Sequence, residues 1–307
     1  MLLFLTGVWG SLRAAPGSEP SPAALARLPK LRARAMGVDR AGNLWVWGAG
    51  LGAITLLSPD GLDLGFFRAT GASAVDVDAD WGTVGLFGQG YELQWLRGEG
   101  EPRTIRLEGP AADVCWIGPE TVAVTPQTAA HRIEIWNLVS QTRLQTLGEE
   151  TPIHPVPGVN RMRAVLLRYD FAHGLLYSLE SFTGDLQVFT RDGRLAWRSE
   201  VANPRRAESE AWLQEVDRQA RSRHDVQIPT IFSLHLALTA QGEAWVLQRH
   251  DAASHTVTLL RVGGDGATSR VLPEGPCPSY HLLAWGSHLI SYREPESPQG
   301  VCVGEIP

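Results

Sequence analysis

The chain has 307 residues, of which 44% are hydrophobic and 20% charged, and a formal net charge of -6 at pH 7. That composition excludes a disordered chain. The acidic balance argues against nucleic acid as a partner, because phosphate recognition needs a basic stripe.

Residues 1–15, MLLFLTGVWGSLRAA, read as a short secretory signal, with an apolar stretch from Leu2 to Trp9 and then Ala14 and Ala15 before Pro16. No Lys or Arg precedes the stretch, so a buried strand or a misplaced start is the competing reading. The expectation is a periplasmic or secreted protein, with a cytoplasmic one as the alternative. No later apolar run approaches the ~18 residues that a membrane span requires.

From residue 39 onward a turn followed by an apolar strand recurs. It begins as Asp39-Arg-Ala-Gly42-Asn-Leu-Trp45-Val46 and returns at Asp80-Trp-Gly82-Thr-Val84 and Gly118-Pro-Glu120-Thr-Val122. Later copies are Phe171-Ala-His-Gly174-Leu-Leu-Tyr177, Ala240-Gln-Gly242-Glu-Ala-Trp245-Val246 and Gly286-Ser-His-Leu289-Ile290. A second turn follows each of the first five at a nearly fixed distance, as at Gly61, Gly100, Ser140, Gly193 and Gly266. Tight turns framing β-branched and aromatic runs read as hairpins, so each unit is a four-stranded antiparallel meander. Meanders repeated around an axis cover one another's faces and leave only short edges.

The predicted fold is therefore an all-β, six-bladed β-propeller of four-stranded blades, a single domain over residues 16–307. The last unit ends before its outermost strand, and residues 23–33 are expected to supply that strand and close the ring. The repeat resembles bacterial six-bladed propellers of the NHL and gluconolactonase-like kind, in which D-x-x-G-x-[LI]-[WY]-V closes a blade's first hairpin. One unit, Arg132-Ile-Glu-Ile-Trp136-Asn-Leu138, is similar to a WD-repeat blade with Asn137 in place of Asp, which leaves a seven-bladed ring as the alternative.

Two intervals between successive first turns are long, from Glu120 to Gly174 and from Gly174 to Gly242. They contain insertions at 148–160 and 203–229. Both insertions join one blade's outermost strand to the next blade's innermost strand, so both decorate one face. The first carries three prolines within Glu-Glu-Thr-Pro-Ile-His-Pro-Val-Pro and reads as an ordered loop. The second contains good helix formers over 207–223, with Trp212, Leu213, Val216 and Ala220 on one stripe, and a helical insertion over 204–226 is expected.

Chemistry is sparse. No phosphate loop, nucleophile elbow or zinc helix is present, and Gly48-Ala-Gly50-Leu-Gly52 lies between strands, where it reads as a hairpin loop. Cys115, Cys277 and Cys302 lack metal spacing and read as buried thiols, with a Cys277–Cys302 pair as the alternative in an oxidising compartment.

Gluconolactonase-like propellers bind a divalent cation at the channel mouth, and the resemblance directs attention to the inner strands. There Asp76, Asp78, Asp113, Arg161, Arg163, His235 and His281 lie towards or near the channel. No set of Glu, Asn and Asp matches that family's pattern, so no metal site is carried over and no cofactor is expected. His235 and His281 read as core histidines, with a transition-metal pair as the alternative.

Tyr91, Trp212 and Tyr280 are amphipathic rings placed near the decorated face. The binding candidates are thus Tyr91, Arg161, Arg163, Trp212, His235, Tyr280 and His281. The expected function is non-catalytic binding of a protein or small ligand by a monomer. The competing reading is a metal-dependent hydrolase or lactonase at the channel mouth.

Overall fold

The computed structural model describes residues 19–28, 33–48, 52–97, 100–127, 131–148, 165–181, 183–201, 211, 214–215, 218, 234–239, 241–249, 257–262, 268–272, 281–292 and 301–305. The first blade is β1 (Ala33–Val38), β2 (Leu44–Gly48), β3 (Ala53–Leu57) and β4 (Asp63–Arg68). The second is β5 (Ala74–Asp78), β6 (Gly82–Phe87), β7 (Glu92–Leu96) and β8 (Arg103–Arg106). The third is β9 (Ala111–Gly118), β10 (Thr121–Pro126), β11 (Ile133–Asn137) and β12 (Thr142–Leu147). The fourth is β13 (Val165–Asp170), β14 (Leu175–Glu180), β15 (Asp185–Thr190) and β16 (Leu195–Glu200). The fifth is β17 (Leu234–Leu238), β18 (Ala244–Arg249), β19 (Val257–Val262) and β20 (Thr268–Leu272). Each is an antiparallel meander in sequence order, and a last sheet holds only three strands, β21 (His281–Trp285), β22 (His288–Tyr292) and β23 (Val301–Glu305).

The expected count is thereby corrected. The described residues form five four-stranded blades rather than six, and a three-stranded sheet stands beside the first blade. Nor do the described residues of 23–33 add a closing strand. Pro22–Arg27 form a short helix, α1, followed by β1 from Ala33. The local chemistry explains the difference. Ser21 accepts a hydrogen bond from the Ala24 amide as N-cap, Pro22 occupies the first helical turn, and alanine and leucine follow.

The helix closes the ring nonetheless. Ala24 and Leu28 are fully buried against Leu57 of β3 and Leu283, Trp285 and Ile290 of the last sheet. The Glu19 carboxylate accepts from the Ser287 amide (2.9 Å) and hydroxyl (2.8 Å), and Ser21 N–H donates to Pro59 O. Arg27 donates to Gly61 O and pairs with Asp63. One segment thus clasps the first turn of the last sheet to the second turn of the first blade.

The core is divided among the seams between neighbouring sheets. Alternation along each inner strand sends odd and even residues to opposite seams. Val75 and Val77 of β5 pack towards the first blade, while Val114 and Trp116 of β9 pack towards the second. Strand polarity also defines two faces. Hairpins joining a blade's first and second strands emerge on one, here called the hairpin face. Loops joining second and third strands emerge on the other with the blade-to-blade connections, here called the insertion face.

Of the expected helical insertion, Ala211, Gln214, Glu215 and Arg218 are described and helical, and Arg218 pairs with Glu215. The rest of 204–226, the 1–15 segment, most of the 148–160 loop and Cys277 lie outside the described residues. Among the described residues no helix is long and apolar enough to cross a membrane.

Candidate functional site: the inner strands and the insertion face

Inner strands of neighbouring blades share no backbone ladder, so something else must hold them at fixed spacing. In the first four blades this is done by a repeated aspartate device. Asp39, at the end of β1, accepts the Ala41 and Asn43 amides on Oδ1, and on Oδ2 it accepts the Ala79 amide of the second blade at 3.2 Å. Asp76 accepts its own neighbour Val77 on Oδ1 and the Trp116 amide of the third blade on Oδ2 at 2.8 Å. Asp113 accepts Val114 on Oδ1 and the Leu167 amide of the fourth blade on Oδ2 at 2.9 Å. One oxygen caps the aspartate's own strand and the other reaches across the seam.

These carboxylates are held out of bulk water, which disfavours their charged form. Burial raises Asp39 to about 6, against the lowering effect of its bonds from Asn43. Burial raises Asp76 to about 7 despite the Trp116 and Val77 amides and the nearby Arg168. Asp113 is raised by burial too, opposed chiefly by Arg168. The free, buried Cys115 is driven well up by burial and by the two aspartates, so it is an inert thiol at neutral pH.

Arg168 completes the arc. Its Nη1 donates to Leu167 O at 2.5 Å and lies 3.5 Å from Asp113 Oδ2, and its side chain keeps 38% of its exposure. Arg161 and Arg163, named from the sequence, lie outside the described residues; β13 runs from Val165 to Asp170, and the arginine on it is Arg168. The signal was present as Arg-Tyr-Asp directly before the Phe171–Gly174 turn. Asp78 belongs to the hairpin face, where it caps the Asp80 and Trp81 amides and faces Arg40 at 3.6 Å.

Tyr91 stands on the insertion face in the turn between β6 and β7, with 44% of its surface exposed. Its backbone is tied down on both sides, since its N–H donates to Gly88 O and its carbonyl accepts from Leu107 N–H. On the same face Arg132 crosses from the third blade to the fourth. It donates to Asp185 Oδ2 (2.7 Å), Asp185 O (2.5 Å) and Ser178 O (2.8 Å), and Arg198 holds the other Asp185 oxygen. Burial pushes Asp185 up, but the Arg198 hydrogen bond and the two guanidinium charges outweigh it and hold its carboxyl below the usual range.

His235 is half-buried in β17 opposite Leu247 and engaged by its neighbours, three steps from the closing pair Leu238–Ala244. His281 heads β21 opposite Tyr292, four steps from Trp285–His288, so the two histidines do not share a register. Arg161, Arg163, Trp212 and Tyr280 lie outside the described residues.

Taken together these elements define a β-propeller. No protein-family model matches the chain and no curated protein matches it. Among solved structures it is similar to selenomethionine-substituted virginiamycin B lyase from Staphylococcus aureus, at 9% identity and TM-score 0.54, over 87% of this chain and 78% of that one. It is also similar to a catalytically inactive variant of virginiamycin B lyase from Staphylococcus aureus with quinupristin, at 9% identity and TM-score 0.51, over 87% of this chain and 78% of that one. Hydrazine synthase of Kuenenia stuttgartiensis matches at 11% identity and TM-score 0.50, over 86% of this chain and 73% of that one. At such identities the likeness shows the propeller fold alone.

Proposed function

We propose that the chain is a non-catalytic binding propeller, an extracytoplasmic monomer that captures a protein or small ligand on its insertion face. The observation that carries this reading is the use made of the inner-strand carboxylates. Asp76 and Asp113 each spend one oxygen on their own strand and the other on the next blade. A hydrolase of the gluconolactonase-like kind needs such carboxylates for a cation, and hard cations compete for the same oxygen lone pairs. Here those oxygens hold the ring together.

Support for the insertion face comes from Tyr91, a large ring exposed on a turn whose backbone is fixed, the low-entropy amphipathic surface that recognition favours. The insertions at 148–160 and 203–229, with the helical segment over 204–226, Trp212 and Tyr280, enlarge that surface in this reading. Kinship with NHL-like propellers and export through residues 1–15 belong to the same proposal. Partner capture by immobilised protein tests it. Deleting 204–226 or replacing Tyr91 with alanine should weaken capture about 10-fold or more while the thermal midpoint stays put. Unchanged capture by both variants sinks the assignment of this face.

A further inference from the structure

The guanidinium of Arg168 is fixed along one edge and free along the other. Nη1 is pinned between Leu167 O and Asp113 Oδ2, which sets the plane of the group. Among the described residues neither Nε nor Nη2 has a partner, and the side chain remains 38% exposed on the innermost strand of its blade. A permanently charged fork whose orientation has been set in advance loses little entropy when it binds, and its Nε–Nη2 edge matches two oxygens of one anionic group.

We infer that Arg168 anchors a channel-side binding site for a small oxyanion, the carboxylate of an organic acid or a phosphate group, gripped by its free Nε–Nη2 edge. This goes beyond the capture of a partner on the insertion face and rests on none of it. Capture can fail with anion binding intact, and the reverse. Asp113 is a positioning residue in this arrangement. Its bond to the Leu167 amide holds β13 in place, and its Oδ2 steers the guanidinium.

The titratable neighbours set the electrostatics. Asp113 and Cys115 lie on β9, Asp76 on β5 and His235 on β17. Ionised Asp76 and Asp113 oppose an incoming anion, and Asp76 takes up a proton near pH 7. For acetate, whose charge is essentially constant over this range, binding therefore tightens as pH falls from 8 to 6.

Calorimetric titration at constant ionic strength tests the site with two probes, acetate and inorganic phosphate. The wild-type chain should bind one of them saturably with a dissociation constant of about 10 mM or tighter. Arg168→Lys keeps the charge and loses the fork, so affinity should fall about 10-fold. Arg168→Gln should abolish binding. Which probe saturates distinguishes a carboxylate ligand from a phosphate. The inference is overturned if neither probe binds the wild-type chain, or if Arg168→Lys binds as tightly at pH 6 as the wild type. Should Arg168→Gln fail to fold, the lysine variant and the pH dependence decide alone.

Discussion

Replacing Asp76 with asparagine separates the charge of an inter-blade bond from its geometry. The folded chain raises this carboxyl from 3.8 to about 7 because it is buried between β5 and β9. A raised carboxyl means that the folded state binds a proton more readily than the unfolded state. Its contribution to stability is therefore fully present below pH 4 and is lost as pH rises through 7. At pH 5, two pH units below the folded value at about 1.36 kcal/mol each, the contribution relative to pH 8 is about 2.7 kcal/mol. Asparagine does not titrate, and it keeps one acceptor while turning a donor towards a backbone N–H. That mismatch adds a pH-independent part of ~1–3 kcal/mol to the variant's deficit. Urea unfolding of both proteins at pH 5, 6, 7 and 8 should show the variant's deficit shrinking by about 2.7 kcal/mol from pH 5 to pH 8. A deficit that stays constant across that range refutes the reasoning.

Other consequences of the structure are equally direct. Leu28→Ala removes a fully buried side chain from the ring-closing seam and should cost about 2–4 kcal/mol by urea unfolding. Arg132→Met strips Asp185 and two carbonyls of their buried donor and should cost about 3 kcal/mol or more, with the largest rise in amide exchange between the third and fourth blades. Gly82→Ala places a side chain at φ +93° against the Leu96 carbonyl, so a drop of about 2 kcal/mol is expected in thermal unfolding, whereas Gly71→Ala, with open space around it, should cost less. Trp285→Phe deletes the indole bond to Gly42 O at 2.8 Å and should lower stability by about 1–2 kcal/mol.

The features legible in the sequence were those with local causes. Asp39 with Gly42 announces its hairpin because an aspartate caps amides two to four residues on and glycine accepts a positive φ, and Gly82 marks the next one; the carboxylate that caps it is Asp78, which the sequence places near the channel. The bonds that cross seams were invisible, since the Trp116 amide lies 40 residues beyond Asp76 and the Leu167 amide 54 beyond Asp113. Arg168 is not legible as a channel-side residue because the insertion before it leaves the start of β13 unmarked in the sequence. The closing helix is the reverse case. Ser21-Pro22-Ala-Ala-Leu-Ala carries a cap, a first-turn proline and strong helix formers, and the expectation of a closing strand came from topology rather than from those residues.

Thermal unfolding after exhaustive chelation, with divalent cations added back one at a time, asks whether the inner-strand carboxylates are free to hold a metal. The midpoint should stay unchanged for every cation, because Asp76 and Asp113 are committed to backbone amides. A cation at 100 times its dissociation constant would instead stabilise the fold by about 2.7 kcal/mol. A clear rise for one cation, lost in Asp76→Asn or Asp113→Asn, would instead make the channel a metal-dependent site and overturn the binding-propeller reading.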